Sequence, residues 1–62
     1  MDYIQYLNEL LSLTAQKGAS DLHLSPGHYP VLRIDGHLVM LIDQKILDKE
    51  TTEGLVLAIL GE

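Results

Sequence analysis

Val31-Leu32-Arg33-Ile34-Asp35-Gly36-His37-Leu38-Val39-Met40-Leu41-Ile42 holds two apolar runs separated by a single Asp-Gly step. A two-residue type I′ turn needs φ > 0 at both central positions, which Asp-Gly accepts at low cost, so the stretch predicts a β-hairpin. The turn fixes the register. Ile34 falls opposite His37 and Leu32 opposite Val39 on one face; Arg33 falls opposite Leu38 and Val31 opposite Met40 on the other. Both faces carry large apolar groups, whereas a sheet with one watery face alternates cleanly. Two readings follow: a sheet covered on both sides, or a docking surface.

Upstream, Ser25-Pro26-Gly27-His28-Tyr29-Pro30 is turn chemistry, and Ser20-Asp21-Leu22-His23-Leu24 alternates as a short half-buried strand does. Before it, Asp2 with Gln5 suits a capping box, and Gly18 suits a left-handed C-terminal cap. Between them Ile4, Leu7, Leu10, Leu11, Thr14 and Ala15 share one side of a helix, widened by Tyr3, Tyr6 and Leu13. That arc is about 200°, twice the roughly 100° one packing face requires.

Downstream, Asp43-Gln44-Lys45 reads as a connection. Asp48 caps a second helix, with Glu50 and Glu53 near its positive end and Gly61 as its C-terminal cap. Leu55 to Leu60 is apolar in every direction, and a helix apolar all round is buried all round. The elements so read are a helix over 2–17, strands over 20–24, 31–34 and 37–42, and a helix over 49–60. This is an α+β chain in the order α-β-β-β-α, with a hairpin-based antiparallel sheet.

One helix and three short strands cannot enclose the second helix. At about 60 residues, folding buries only about 60% of the surface of the unfolded chain. The sequence of 62 residues has no cysteine, so neither disulfides nor thiolate metal sites support it. The surplus apolar surface implies an incomplete domain or a protomer that needs a neighbour. Leu10, Leu13, Arg33, Met40, Ile42, Leu57 and Leu60 are the candidate interface residues. Arg33, mid-strand, either lays its stem over apolar surface with a local partner or pairs with an acidic group on a neighbouring domain.

With 47% apolar and 21% charged residues the composition is globular, and the net charge of -5 comes with only four scattered basic residues. Nucleic acid, which needs clustered positive charge, is a poor partner. The longest apolar run, Leu55 to Leu60, falls far short of the roughly 20 residues of a membrane span. The opening Met1-Asp2-Tyr3 lacks a signal peptide's basic flank, so a cytoplasmic location is expected.

Catalytic patterns are missing. Neither G-x-x-x-x-G-K-[ST] nor G-x-G-x-x-G occurs, and Ser20 and Ser25 stand near His23 without a G-x-S-x-G elbow. Asp35 is explained by its turn and Asp21 by the solvent face of a strand. His23, His28 and His37 form no compact ligand motif such as H-E-x-x-H. Binding and positioning are therefore expected, with no catalytic, cofactor or metal residue in this chain.

Lys17-Gly18-Ala19-Ser20-Asp21-Leu22-His23-Leu24-Ser25, then Pro30, then Leu32-Arg33-Ile34-Asp35-Gly36-His37-Leu38 resembles the opening of the N-terminal domain of type II and type IV secretion-system ATPases. Thr52-Glu53-Gly54-Leu55-Val56-Leu57-Ala58-Ile59-Leu60 is similar to the helix that follows in that family. The start at Met1 looks most like the pilus retraction motors of twitching motility.

The resemblance implies the first half of a PAS-like domain. It also implies a hexameric parent that uses ATP and magnesium at the cytoplasmic face of the inner membrane, where each such domain packs against a neighbour's ATPase domain. The family's Walker A and B segments, its acidic and histidine boxes and the domain's remaining strands have no counterpart in residues 1–62. The implied role is a non-catalytic docking and oligomerisation domain. The alternative is a stand-alone homodimeric interaction module that associates with itself.

Overall fold

The computed structural model describes residues 1–61. The expected single partial domain over 1–62 also takes in Glu62, which lies outside the described residues. The order is α1 (Tyr3–Gln16), β1 (Asp21–His23), β2 (Val31–Ile34), β3 (His37–Met40) and α2 (Lys49–Ile59). The three strands form an antiparallel meander in the order β1-β2-β3. The fold is α+β in the order α-β-β-β-α, as the hairpin and the two helical periods predict.

Each helix starts on an aspartate. Asp2 accepts the Gln5 N–H at 3.0 Å and Asp48 accepts the Thr51 N–H at 2.7 Å, so each satisfies a donor that the helix leaves unpaired. α1 ends in a Schellman motif: Gly18 N–H donates to Ala15 C=O and Ala19 N–H to Thr14 C=O, with Gly18 at φ +66°. Asp2 and Lys17 therefore belong to the caps, one residue outside each end of the helix.

The bonds from Thr51 hold the Asp48 carboxyl below its ordinary value of 3.8. Because the folded value is the lower one, this contribution is full above 3.8. It fades as pH falls through the folded value. Acid titration followed by circular dichroism should therefore show less acid destabilisation in Asp48→Asn, an N-cap that keeps an acceptor without titrating.

At the hairpin, Asp35 has φ +50° and Gly36 φ +80°, the two positive angles that the turn demands. The pairs Ile34–His37, Arg33–Leu38, Leu32–Val39 and Val31–Met40 match the register read from the turn. Two strands are shorter than expected. Pairing in β1 is confined to Asp21–His23, although Ser20 N–H still reaches Arg33 C=O. β3 stops at Met40: Leu41 N–H donates to Pro30 C=O, but proline has no N–H to return, and Ile42 N–H folds back to Met40 C=O.

The core is six leucines: Leu7, Leu10, Leu32, Leu41, Leu47 and Leu55. Leu22, Leu32 and Ile34 turn one face of the sheet toward it, and α1 packs on both β1 and α2. The buried side of α1 is centred on Leu10 and flanked by Tyr3, Tyr6, Leu7 and Leu13. Ile4 and Leu11, which the helical wheel places on the apolar side, stay exposed, Ile4 at the edge of a groove beside α2.

A second connection closes the core. Gly27 N–H donates to Leu47 C=O at 2.7 Å, and Leu47 N–H to His28 C=O at 2.8 Å. This pair ties the turn after β1 to the segment before α2 and buries Leu47. The Tyr6 hydroxyl holds the intervening Gln44 at 3.0 Å.

Candidate docking surface

Three surfaces carry apolar side chains that the chain leaves uncovered. The first is the end of α2. Leu55 is wholly buried, and Ile59, four residues on and so only about 40° around the axis, points to the same side. Yet Ile59 is 56% exposed, and Leu60, which caps the helix, is 67% exposed. The core-facing side of the last turn overhangs the core. α2 is thus not enclosed, as expected for a chain with one other helix and three short strands, and nothing among the described residues covers its end.

The second surface is the outer side of α2. Leu57 lies between two shallow grooves, one shared with Pro26, Thr52 and Val56, the other with Met1, Ile4 and Ala58. The third is the sheet face turned away from the helices, with Val31 and the exposed Leu38 and Met40. Nothing among the described residues covers that face.

Arg33 lies on this third face, and its Nε is 3.3 Å from Asp21 Oδ2 across the β1–β2 pair. The same carboxylate oxygen accepts from the Ser20 hydroxyl at 2.9 Å. Both charged groups are about half exposed, so the pair contributes at most about 1 kcal/mol. Arg33 has its acidic partner within the chain.

The candidate interface residues therefore divide. Leu10 has no exposed surface and stands at the centre of the core, so it is corrected from interface to core. The periodicity that puts it on an apolar stripe cannot say which part of a wide stripe turns inward. Leu13 is half-buried against the same cluster. Met40, Ile42, Leu57 and Leu60 are all more than half exposed, but they do not form one patch. Met40 lies on the outer sheet face, and Leu57 and Leu60 on α2.

Three features escaped the sequence reading. Leu47 is core, and its place immediately before the N-cap is where a hydrophobic staple stands, while Thr52, four positions into the helix, is buried as well. Pro30 is fully buried. Gly54 lets the ring of Tyr3 lie directly on α2: a Cβ at position 54 would stand 2.5 Å from the ring carbons.

Chemistry is sparse. No three His, Asp or Glu side chains converge on a metal position among the described residues. A broad hollow along α1, lined by Asp2, Gln5, Asn8, Glu9, Ser12 and Gln16, is open to solvent. Burial raises the Tyr6 hydroxyl above its ordinary value, with Glu9 and Asp43 adding to it, so it stays a neutral donor to Gln44.

The exposed apolar side chains stand on an α-β-β-β-α frame. Over 56 residues the chain is 39% identical to the type IV pilus retraction ATPase PilT of Pseudomonas aeruginosa, a match that covers 90% of this chain. Over that stretch the chain is PilT-like. The match covers 16% of the relative, so the chain spans about one sixth of the length of this PilT. No family model matches the chain, and no solved structure does. No helix among the described residues is long and apolar enough to cross a membrane.

Proposed function

We propose that this chain is the non-catalytic docking and oligomerisation domain of a PilT-type pilus retraction ATPase. In this reading it is the first half of a PAS-like domain. The protein that contains it couples ATP hydrolysis, with magnesium, to pilus disassembly at the cytoplasmic face of the inner membrane. Its partners are the neighbouring subunits and ATPase domains of a hexamer. The observation that carries the proposal is the overhang of α2: Ile59 extends the core side past the elements that cover Leu55, with the exposed Leu57 and Leu60 beside it, in a chain that is PilT-like. Full burial of side chains of this size contributes about 1.5–3 kcal/mol each, enough to favour a covering partner.

A chimera tests this. The 56 matching residues of the Pseudomonas aeruginosa relative are replaced by those of this chain. The chimera should assemble and hydrolyse ATP, and Leu57→Lys with Leu60→Lys should abolish its assembly while the isolated chain keeps its circular dichroism spectrum. A doubly substituted chimera that assembles and turns over ATP like the unsubstituted one would overturn the proposal. So would ATP hydrolysis by the 62-residue chain alone.

A further inference from the structure

β3 is an outer strand of the sheet, and all four of its residues are exposed. One hydrogen bond tells which way its backbone groups point. Leu41 N–H donates to Pro30 C=O at 2.9 Å, so positions 30 and 41 belong to the hydrogen-bonded set. Antiparallel ladders alternate, which makes Leu32–Val39 and Ile34–His37 hydrogen-bonded pairs as well. The N–H and C=O groups of Leu38 and Met40 then face away from β2. Met40 C=O already takes the Ile42 N–H at 3.1 Å and keeps a second lone pair.

Free edges in native sheets are usually guarded by lysine, proline, a bulge or a covering element. From His37 to Ile42 there is no lysine, no proline and no acidic residue. Leu38 and Met40, the two residues with free backbone groups, are each 62% exposed. The edge and the bare apolar face are thus continuous.

We infer that β3 pairs antiparallel with β3 of a second copy about a two-fold axis at Val39, joining the two sheets. The occupant follows from self-complementarity. In this register Leu38 lies opposite Met40 of the second copy, and Met40 opposite its Leu38. Each of these two pairs exchanges both backbone hydrogen bonds, and Val39 meets its own counterpart across the axis. Every central pair is apolar, and no like charges are opposed although each copy carries a net charge of -5. A contact of a few paired residues belongs with small, transient interfaces, so a weak dissociation constant on the order of 100 μM is expected. The pairing follows from the edge alone and does not depend on the retraction-ATPase reading.

Sedimentation equilibrium of the chain tests it, together with one cysteine variant. The wild-type chain should show a reversible monomer–dimer equilibrium. Leu38→Lys and Met40→Lys, both at exposed positions, should each weaken it about tenfold or more with unchanged circular dichroism. Leu57→Lys should leave it intact. A non-hydrogen-bonded pair holds its Cα atoms about 4.5 Å apart, within the span of a disulfide. The chain has no other cysteine, so Val39→Cys should oxidise to a covalent dimer much faster than Leu57→Cys. A monomer persisting at about 1 mM, ten times the expected constant, would overturn the inference. So would a dimer indifferent to Leu38→Lys and Met40→Lys, or equal cross-linking at positions 39 and 57.

Discussion

Leu10→Ala should leave the chain largely unfolded at room temperature, as read by far-ultraviolet circular dichroism and the loss of a cooperative melt. Leu10 has no exposed surface and sits on α1 at the centre of a core made of six leucines. Truncating such a residue costs about 2–5 kcal/mol, because the transfer free energy is lost and a cavity remains. A single core in a domain this small rarely supplies more than about 3–5 kcal/mol in total. The one substitution consumes most of that. Leu57→Ala, at a site 57% exposed, should barely move the melt of the monomer. Were Leu10 an interface residue, the ranking would be reversed: Leu10→Ala would keep a folded monomer and change only association.

Gly54→Ala should lower the melting temperature, against the usual sign for an exchange of glycine by alanine inside a helix. By propensity alone alanine gains about 1 kcal/mol over glycine there. The new Cβ, however, would stand 2.5 Å from Cδ2 and Cε2 and 2.6 Å from Cγ of Tyr3. All three are ring carbons, including the one joined to Cβ, so the ring cannot yield by bending its tip. Either it leaves its place on α2 or α1 and α2 separate. Overpacking of this kind costs typically about 1–3 kcal/mol, which meets or exceeds the propensity gain. In a Tyr3→Ala background the obstruction is gone, and Gly54→Ala should then raise the melting temperature. The four melts form a double-mutant cycle whose coupling reports the helix–ring contact. Equal shifts in the two backgrounds would remove that contact from the account.

How much of this was legible in the sequence depends on how local the cause is. The Asp35-Gly36 turn sets its register through backbone sterics of two residues, so all four pairs of the hairpin follow from it. The aspartate caps at Asp2 and Asp48 are equally local. The position of Leu10 is not. Its helix is apolar over about half its circumference, and only the arrival of Leu32 and Leu55 from other elements decides which part turns inward.

Gly54 likewise looks like a weakness in α2 until the Tyr3 ring, 51 positions earlier, is laid against it. Arg33 shows the same limit. Its neighbours Leu32 and Ile34 say nothing of Asp21, which the β1–β2 pairing places directly across from it. The excess of apolar surface was legible because it is a sum over composition. The division of that excess among the α2 overhang, the outer side of α2 and the β3 edge required the structure.

The thermal midpoint of the chain as a function of its own concentration tests most directly whether its uncovered apolar surface is completed by other protein. Binding that favours the folded form stabilises it by mass action. Between about 10 μM and 1 mM the midpoint should therefore climb by about 5 °C or more. A sharp two-state melt whose midpoint stays fixed across that range would show that the chain is complete by itself, and would contradict the account.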